Sequence, residues 1–229
     1  MNGEINNDSM EENGFPSENC SPCENVFSGG TTITCITGKM ASGKNFISAL
    51  LEKRGFVSVD ADVLVHQAIN NSAEKILNAF SDIAAAKGID LQNADGSINR
   101  RAVGKLIFPH PELLKKQEEI VYPEVIRLAK TFISENSGKN ILINATVAYK
   151  TPEILSFCSR ILYVRSPFTV RLNRAKKRDK MKTRQILQRF KSQRNLLSEY
   201  KKTGIPVTVI RNTGSEKSIM KRLEKVFDF

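Results

Sequence analysis

No apolar run in the 229-residue sequence approaches the ~20 residues that cross a bilayer, so no transmembrane helix is expected. Lys and Arg are absent from positions 1–30, so the basic start of a secretory signal is missing. Histidine is scarce, with only His66 and His110. The four cysteines are Cys20, Cys23, Cys35 and Cys158. Cys20-Ser-Pro-Cys23 is a lone C-x-x-C; a structural metal needs more ligands than this pair supplies, and the only two histidines lie far from it in sequence. A redox dithiol needs a strand before it and a helix after it, and neither pattern is present. The pair therefore reads as exposed thiols in a tail. Cys35 and Cys158 lie in apolar runs and read as small core residues. A reducing, cytoplasmic setting is expected.

Positive charge is missing from one end and concentrated in another. Residues 1–30 hold six acids (Glu4, Asp8, Glu11, Glu12, Glu18 and Glu24) and no base. The chain as a whole carries +11; beyond residue 30 it carries 35 basic against 18 acidic residues, or +17. Residues 171–202 alone hold 13 Lys and Arg against Asp179 and Glu199. A patch this unbalanced implies an anionic partner, either a polyphosphate ligand or nucleic acid. Residues 1–29, polar and acidic with few apolar side chains, are expected to form a disordered tail. The remainder, 30–229, suits one moderate domain.

The stretch around which that domain is organised is Thr37-Gly38-Lys39-Met40-Ala41-Ser42-Gly43-Lys44-Asn45. It follows the β-branched run Thr32-Ile33-Thr34-Cys35-Ile36 and precedes the helical pattern Phe46-Ile47-Ser48-Ala49-Leu50-Leu51. A strand, a glycine turn carrying Lys, and a helix form the context of a P-loop, whose backbone N–H groups and helix N-terminus make a concave site for phosphates. Gly38, Gly43 and Lys44 meet the G-x-x-x-x-G-K-[ST] pattern, and Lys44 is placed to reach the outer phosphates. Asn45 occupies the position of the Mg²⁺-binding hydroxyl and can offer an amide oxygen instead.

Phe56-Val57-Ser58-Val59 reads as a second strand, ending at Asp60-Ala61-Asp62. Ligand groups gather beyond the carboxyl ends of strands in open α/β sheets. Asp62 is therefore expected beside the loop, to take a proton from an attacking hydroxyl or to hold Mg²⁺; the alternative for either Asp60 or Asp62 is a helix N-cap. Residues 63–133 read as mostly helical, with Asn99 capping Arg100–Phe108 and Tyr122-Pro123 interrupting a later helix. Arg100 and Arg101 are either anion ligands or an exposed first turn. A buried strand follows at 140–146. Further strands fall at 161–164 and 205–210, with a basic helix from about Thr183 to Ser198 between them. Five strands joined by helical crossovers give an α/β fold with a parallel sheet.

The set of motifs resembles dephospho-coenzyme A kinases from about Thr32 to the C-terminus. It rests on Thr37-Gly38 with Ser42-Gly43-Lys44, on Asp60-Ala61-Asp62, and on Asp95-Gly96-Ser97-Ile98-Asn99-Arg100-Arg101-Ala102-Val103 with Ile107-Phe108. Pro123, Arg174, Arg178-Asp179, Gln193 and Val209–Gly214 complete it. The resemblance implies a P-loop NTPase core (30–63, 134–169 and 203–229), a helical CoA-binding insert (64–133) and a helical lid (170–202). It implies ATP-dependent phosphorylation of the ribose 3′-hydroxyl of dephospho-CoA, with Mg²⁺ as cofactor. Asp62 would be the general base, and Lys44 and Arg174 would act on the transferring group. Thr37, Gly38, Ala41, Ser42, Gly43, Asn45, Phe46 and Arg178 would bind nucleotide, Asn45 the metal, and Asp60, Arg100 and Arg101 the acceptor. The sequence departs from the family pattern at Lys39, Ala41 and Asn45 in the loop. It departs again at His66 and Tyr122, and at Asn144–Tyr149, which lacks an expected acid. The other readings are a kinase for a different small nucleoside or nucleotide, or a degenerate protein that only binds nucleotide or nucleic acid. Small-molecule substrates, a monomer, and neither membrane nor nucleic acid as partner are expected.

Overall fold

The computed structural model describes residues 31–178 and 182–227. The acidic tail with Cys20 and Cys23, and Asp179, lie outside the described residues. Five strands form one sheet: β1 (Ile33–Thr37), β2 (Val57–Asp60), β3 (Ile141–Asn144), β4 (Arg160–Arg165) and β5 (Val207–Arg211). Their order is β2-β3-β1-β4-β5 and every pairing is parallel. β1 therefore lies at the centre, and the loop that follows it opens at the middle of the sheet's carboxyl edge.

The strand sequences explain the layering. Along β1, Ile33 and Cys35 enter one core and Ile36 the other; Ile141 and Ile143 of β3 divide in the same way from Leu142. Alternate side chains leave opposite faces, so near-continuous apolar strands need cover on both sides. One face is covered by α1 (Lys44–Glu52) and α10 (Glu216–Phe227), through Ile47, Leu50, Leu51, Ile219 and Leu223. The larger core lies on the other face. It takes in α2 (Ala61–Asn71), α3 (Ala73–Ala86), α4 (Arg100–Ile107), α5 (Pro111–Glu135) and α6 (Pro152–Ser156). Three basic helices, α7 (Phe168–Arg178), α8 (Thr183–Ser192) and α9 (Leu196–Lys202), lie in sequence between β4 and β5.

Two sequence expectations are corrected. Tyr122-Pro123 does not interrupt a helix: α5 runs unbroken for 25 residues with Pro123 inside it. Val121, Val125, Ala129 and Ile133 are buried along one stripe at four-residue spacing, and this packing outweighs the hydrogen bond that proline cannot donate. The helix expected from Thr183 to Ser198 is two helices, α8 and α9, separated at Gln193–Asn195. The separation coincides with contacts to the loop after β1. The Met40 amide donates to Gln193 Oε1 at 2.6 Å, and Lys39 Nζ donates to the Arg194 carbonyl at 2.8 Å. Both bonds hold the chain between the two helices against the loop.

Candidate active site

The turn after β1 is built on conformations that glycine provides. Gly38 has φ 153° and Gly43 φ 89°. A Cβ at Gly38 would run into the Val164 carbonyl, and one at Gly43 would run into the Asn212 amide. Ala41, with φ 60°, is the single non-glycine among the described residues with positive φ. No side chain caps α1, so the amides of its first turn remain the open donors of a helix N-terminus.

Distant elements fix the turn from behind. The Ser42 carbonyl accepts from Asn212 Nδ2 at 2.8 Å, Ser166 Oγ at 2.9 Å and Arg174 Nη1 at 3.2 Å. Arg174 Nη1 also reaches Ser166 Oγ at 3.2 Å. The Met40 carbonyl accepts from Arg171 Nε at 2.9 Å. Sequence reasoning assigns a role to Arg174 but none to Ser166, Arg171 or Asn212 in holding the loop. Asn212 and Gln193 stand in the family pattern without an assigned role, and the pattern is the only signal for them.

Lys44 follows the turn. Its Nζ lies 3.4 Å from the Gly38 carbonyl. Burial pushes its pKa down, while the Asp60 and Asp62 carboxylates push it up and Arg178 pushes it down again. The lysine, both carboxylates and Arg178 thus share one electrostatic neighbourhood. Asp60 ends β2 and caps α2, its Oδ1 accepting from the Asp62 amide at 2.9 Å. Asp62 is left exposed on the first turn of α2.

Two cavities flank these groups. One, of about 660 Å³, is lined by residues 41–46, by Arg174 and Arg178, and by Asn212 and Gly214. It brings together Ala41, Ser42, Gly43, Lys44, Asn45, Phe46, Arg174 and Arg178. The other, of about 280 Å³, lies between α2, α5 and the segment after β3. Asp62 lines it beside Val65, Tyr122, Val125 and Thr146. Burial, with Glu118 beside it, raises Tyr122 to about 12, so its hydroxyl stays protonated.

The remaining sequence-predicted residues lie elsewhere. Thr37 is fully buried, and its hydroxyl donates to the Thr146 carbonyl at 3.2 Å. Arg100 and Arg101 are exposed on the first turn of α4 and line neither cavity. Asn45 Oδ1 accepts from Asn144 Nδ2 at 2.9 Å. The metal-hydroxyl position of the loop is thereby tied to the last residue of β3. Tyr200 of α9, also absent from the sequence reading, supports the segment after β3 that lines the smaller cavity. Its hydroxyl accepts from the Ala148 amide at 2.9 Å and lies 3.2 Å from the Thr146 carbonyl.

A parallel sheet with a phosphate-binding turn at its centre, a carboxylate just past the end of β2, two strands away, and arginines overhead defines a P-loop kinase. Comparison with known proteins narrows this. The profile of the family described as dephospho-CoA kinase matches residues 32–218, and the chain belongs to that family. The dephospho-CoA kinase of Treponema denticola is 34% identical over 192 residues, covering 82% of this chain and 85% of that one. That of Treponema pallidum is 31% identical over 192 residues, covering 82% and 90%. Among solved structures, the Thermus thermophilus protein TT1252 superposes with a TM-score of 0.71 at 27% identity, covering 86% of this chain and 97% of its own. The Campylobacter jejuni dephospho-CoA kinase, 21% identical with a TM-score of 0.57 over 86% and 96% of the chains, shares the fold.

Proposed function

We propose that the chain transfers the terminal phosphoryl group of ATP to the ribose 3′-hydroxyl of dephospho-CoA, giving coenzyme A. One observation carries the roles: Asp62 lines the apolar cavity while remaining in electrostatic reach of Lys44 on the phosphate loop. The larger cavity, lined by the phosphate loop, takes the nucleotide. Its phosphates lie on the amides that begin α1, with Lys44 against the outer ones. The smaller cavity, between α2 and α5, takes part of the acceptor and presents its hydroxyl to Asp62.

In this reading Asp62 orients the hydroxyl and accepts its proton at a carboxylate oxygen. The hydroxyl oxygen attacks in line, and the bond between the terminal phosphorus and the bridging oxygen breaks, leaving ADP. Lys44 and Arg174 stabilise the charge that spreads over the transferring group. Helices α7–α9 act as a lid and exclude water. The insert of residues 64–133 holds the rest of the acceptor, with Asp60 restricted to placing Asp62 through the α2 cap.

The donor set fits Mg²⁺. Asn45 Oδ1 is a hard oxygen donor, and no group of three His, Cys, Asp or Glu able to hold a metal occurs among the described residues. Mg²⁺ keeps several waters and is usually held by one or two protein oxygens plus phosphate oxygens, which such a site supplies. When bound, the ion neutralises charge on the outer phosphates.

No described helix is long and apolar enough to cross a membrane. We place the reaction in the cytoplasm, carried out by a monomer. The test is a coupled assay with ATP and dephospho-CoA against a panel of nucleosides. ADP release is expected with dephospho-CoA alone; equal release with another nucleoside rejects the acceptor assignment. Asp62→Asn should lower kcat by about 100-fold or more while sparing ATP binding, because general-base catalysis contributes on that scale. Wild-type turnover in that variant would remove Asp62 from its role.

A further inference from the structure

Behind the phosphate loop, on the β4 side, a third cavity of about 400 Å³ opens between the end of β4, the start of α7 and the start of α9. Lys39, Arg165, Arg171 and Arg194 line it, and no Asp or Glu does. Among the described residues, none of these four cations forms an ion pair with a carboxylate. Burial and then the like charges of Arg171, Arg165 and Arg194 push the Lys39 ammonium below its ordinary value. Four cations held together without a counter-ion repel one another, so the cluster is incomplete as it stands.

Two buried groups in its wall also lack partners. Arg171 is only 7% exposed, fixed by its bond to the Met40 carbonyl and by stacking 4.0 Å over the Phe190 ring. Its Nη2 is buried and makes no hydrogen bond. Ser42 Oγ is buried and unpartnered as well. Buried polar atoms without partners destabilise a fold, and both residues that carry them, Arg171 and Ser42, belong to the wall of this basic cavity. Helix α7, 11 residues long, begins at this cavity with Phe168 and adds the positive end of its dipole.

We propose that this cavity binds a phosphoryl oxyanion at a site separate from the nucleotide-phosphate loop. Ser42 is the one residue the cavity shares with the nucleotide cavity. An oxyanion here would neutralise Lys39, Arg165, Arg171 and Arg194, which line the cavity together, and would add to the existing bond between Lys39 Nζ and the Arg194 carbonyl at the α8–α9 turn. It would brace the loop against the basic helices. Two sources share this chemistry: free inorganic phosphate, and a phosphoryl group of a bound adenine nucleotide.

The test uses the full chain, with inorganic phosphate and ADP as separate probes. Each is titrated by calorimetry at constant ionic strength, in the unaltered protein, in Lys44→Ala and in Arg165→Gln/Arg194→Gln. The first variant disables the phosphate loop; the second touches only the new cavity. Phosphate binding is expected to persist in Lys44→Ala and to weaken about tenfold or more in the double variant, as loss of charge-assisted bonds implies. A double variant that weakens ADP by the same factor and leaves phosphate unchanged identifies the nucleotide as the source. Unchanged binding of both probes overturns the proposal, as does phosphate binding lost in Lys44→Ala alone. In phosphate-free, low-salt buffer the double variant should melt no lower than the unaltered protein, because repulsion has been relieved. A lower melting temperature there overturns the uncompensated cluster. None of these readouts involves turnover, so they stand or fall apart from the proposed reaction.

Discussion

Asn45 stands on the first turn of α1, where a phosphate-binding loop ordinarily offers a hydroxyl. Its amide oxygen is engaged by Asn144 rather than left open. An amide oxygen can serve a hard cation, and a donor behind it fixes its direction. Asn45→Ala should raise the Mg²⁺ concentration for half-maximal activity about tenfold, whereas Asn45→Ser should restore much of the loss. Magnesium titration of kcat/KM with both variants checks this, and an unchanged requirement in Asn45→Ala removes Asn45 from the metal site. Ala41 is a neighbouring case. At φ 60° it occupies the left-handed region at a position where the family pattern carries glycine. Ala41→Gly should be tolerated, while Ala41→Val should cost roughly 1–2 kcal/mol in urea unfolding, because a branched Cβ crowds the following carbonyl. The loop and Asp60-Ala61-Asp62 were legible in sequence because turn glycines, a cap and a strand end are local features. The Asn45–Asn144 bond was not, since nothing in either residue's neighbourhood names a partner across the sheet. Asp60 shows the limit of spacing alone: either carboxylate at this strand end could have been the helix N-cap, and the structure gives that place to Asp60.

At the scale of elements, packing decided what local propensity could not. The sheet was legible from its runs of β-branched residues, in nearly the observed bounds. Pro123 read as a break, yet the buried stripe of α5 carries the helix through it. The stability of α5 against α2 rests partly on Glu124, which accepts from Asn71 Nδ2 at 2.6 Å and pairs with Arg127 at 2.7 Å. These bonds, led by Arg127, hold Glu124 at about 2 instead of 4.5. A carboxylate depressed in the folded state contributes stability above its unfolded value and loses it as pH falls toward the folded one. The urea midpoint should therefore drop between about pH 4.5 and 2, and Glu124→Gln should flatten that part of the profile. An unchanged profile would place the acid sensitivity elsewhere. On α9, Tyr200 acts over a longer range. Tyr200→Phe leaves the buried Ala148 amide without its acceptor, at a cost of about 1–3 kcal/mol. Thr146 and Ala148 line the proposed acceptor cavity, so KM for dephospho-CoA should rise with KM for ATP unaffected. Equal effects on both constants would show that α9 supports the whole fold and not the acceptor side.

For the molecule as a whole, charge is divided along the chain. The acidic segment 1–30 lowers a formal charge of +17 to +11. The basic helices stand over the loop that would take ATP, so the field at the nucleotide cavity sums attraction from α7–α9 and any opposing contribution from the tail. Long-range fields of this kind act on the capture of charged ligands and fade once salt shortens the Debye length from about 30 Å at 0.01 M to about 3 Å at 1 M. β1 begins at Ile33, so the chain can be cut after residue 30 without entering the central strand. The shortened protein should keep its melting temperature and its kcat. Its KM for ATP should fall by roughly twofold or more at low ionic strength and match that of the full chain at high salt. Measuring KM at both salt concentrations for both chains separates the outcomes. Equal values at low salt would mean that the tail's charge does not reach the nucleotide cavity. A difference that survived high salt would mean that the tail makes specific contact with the domain.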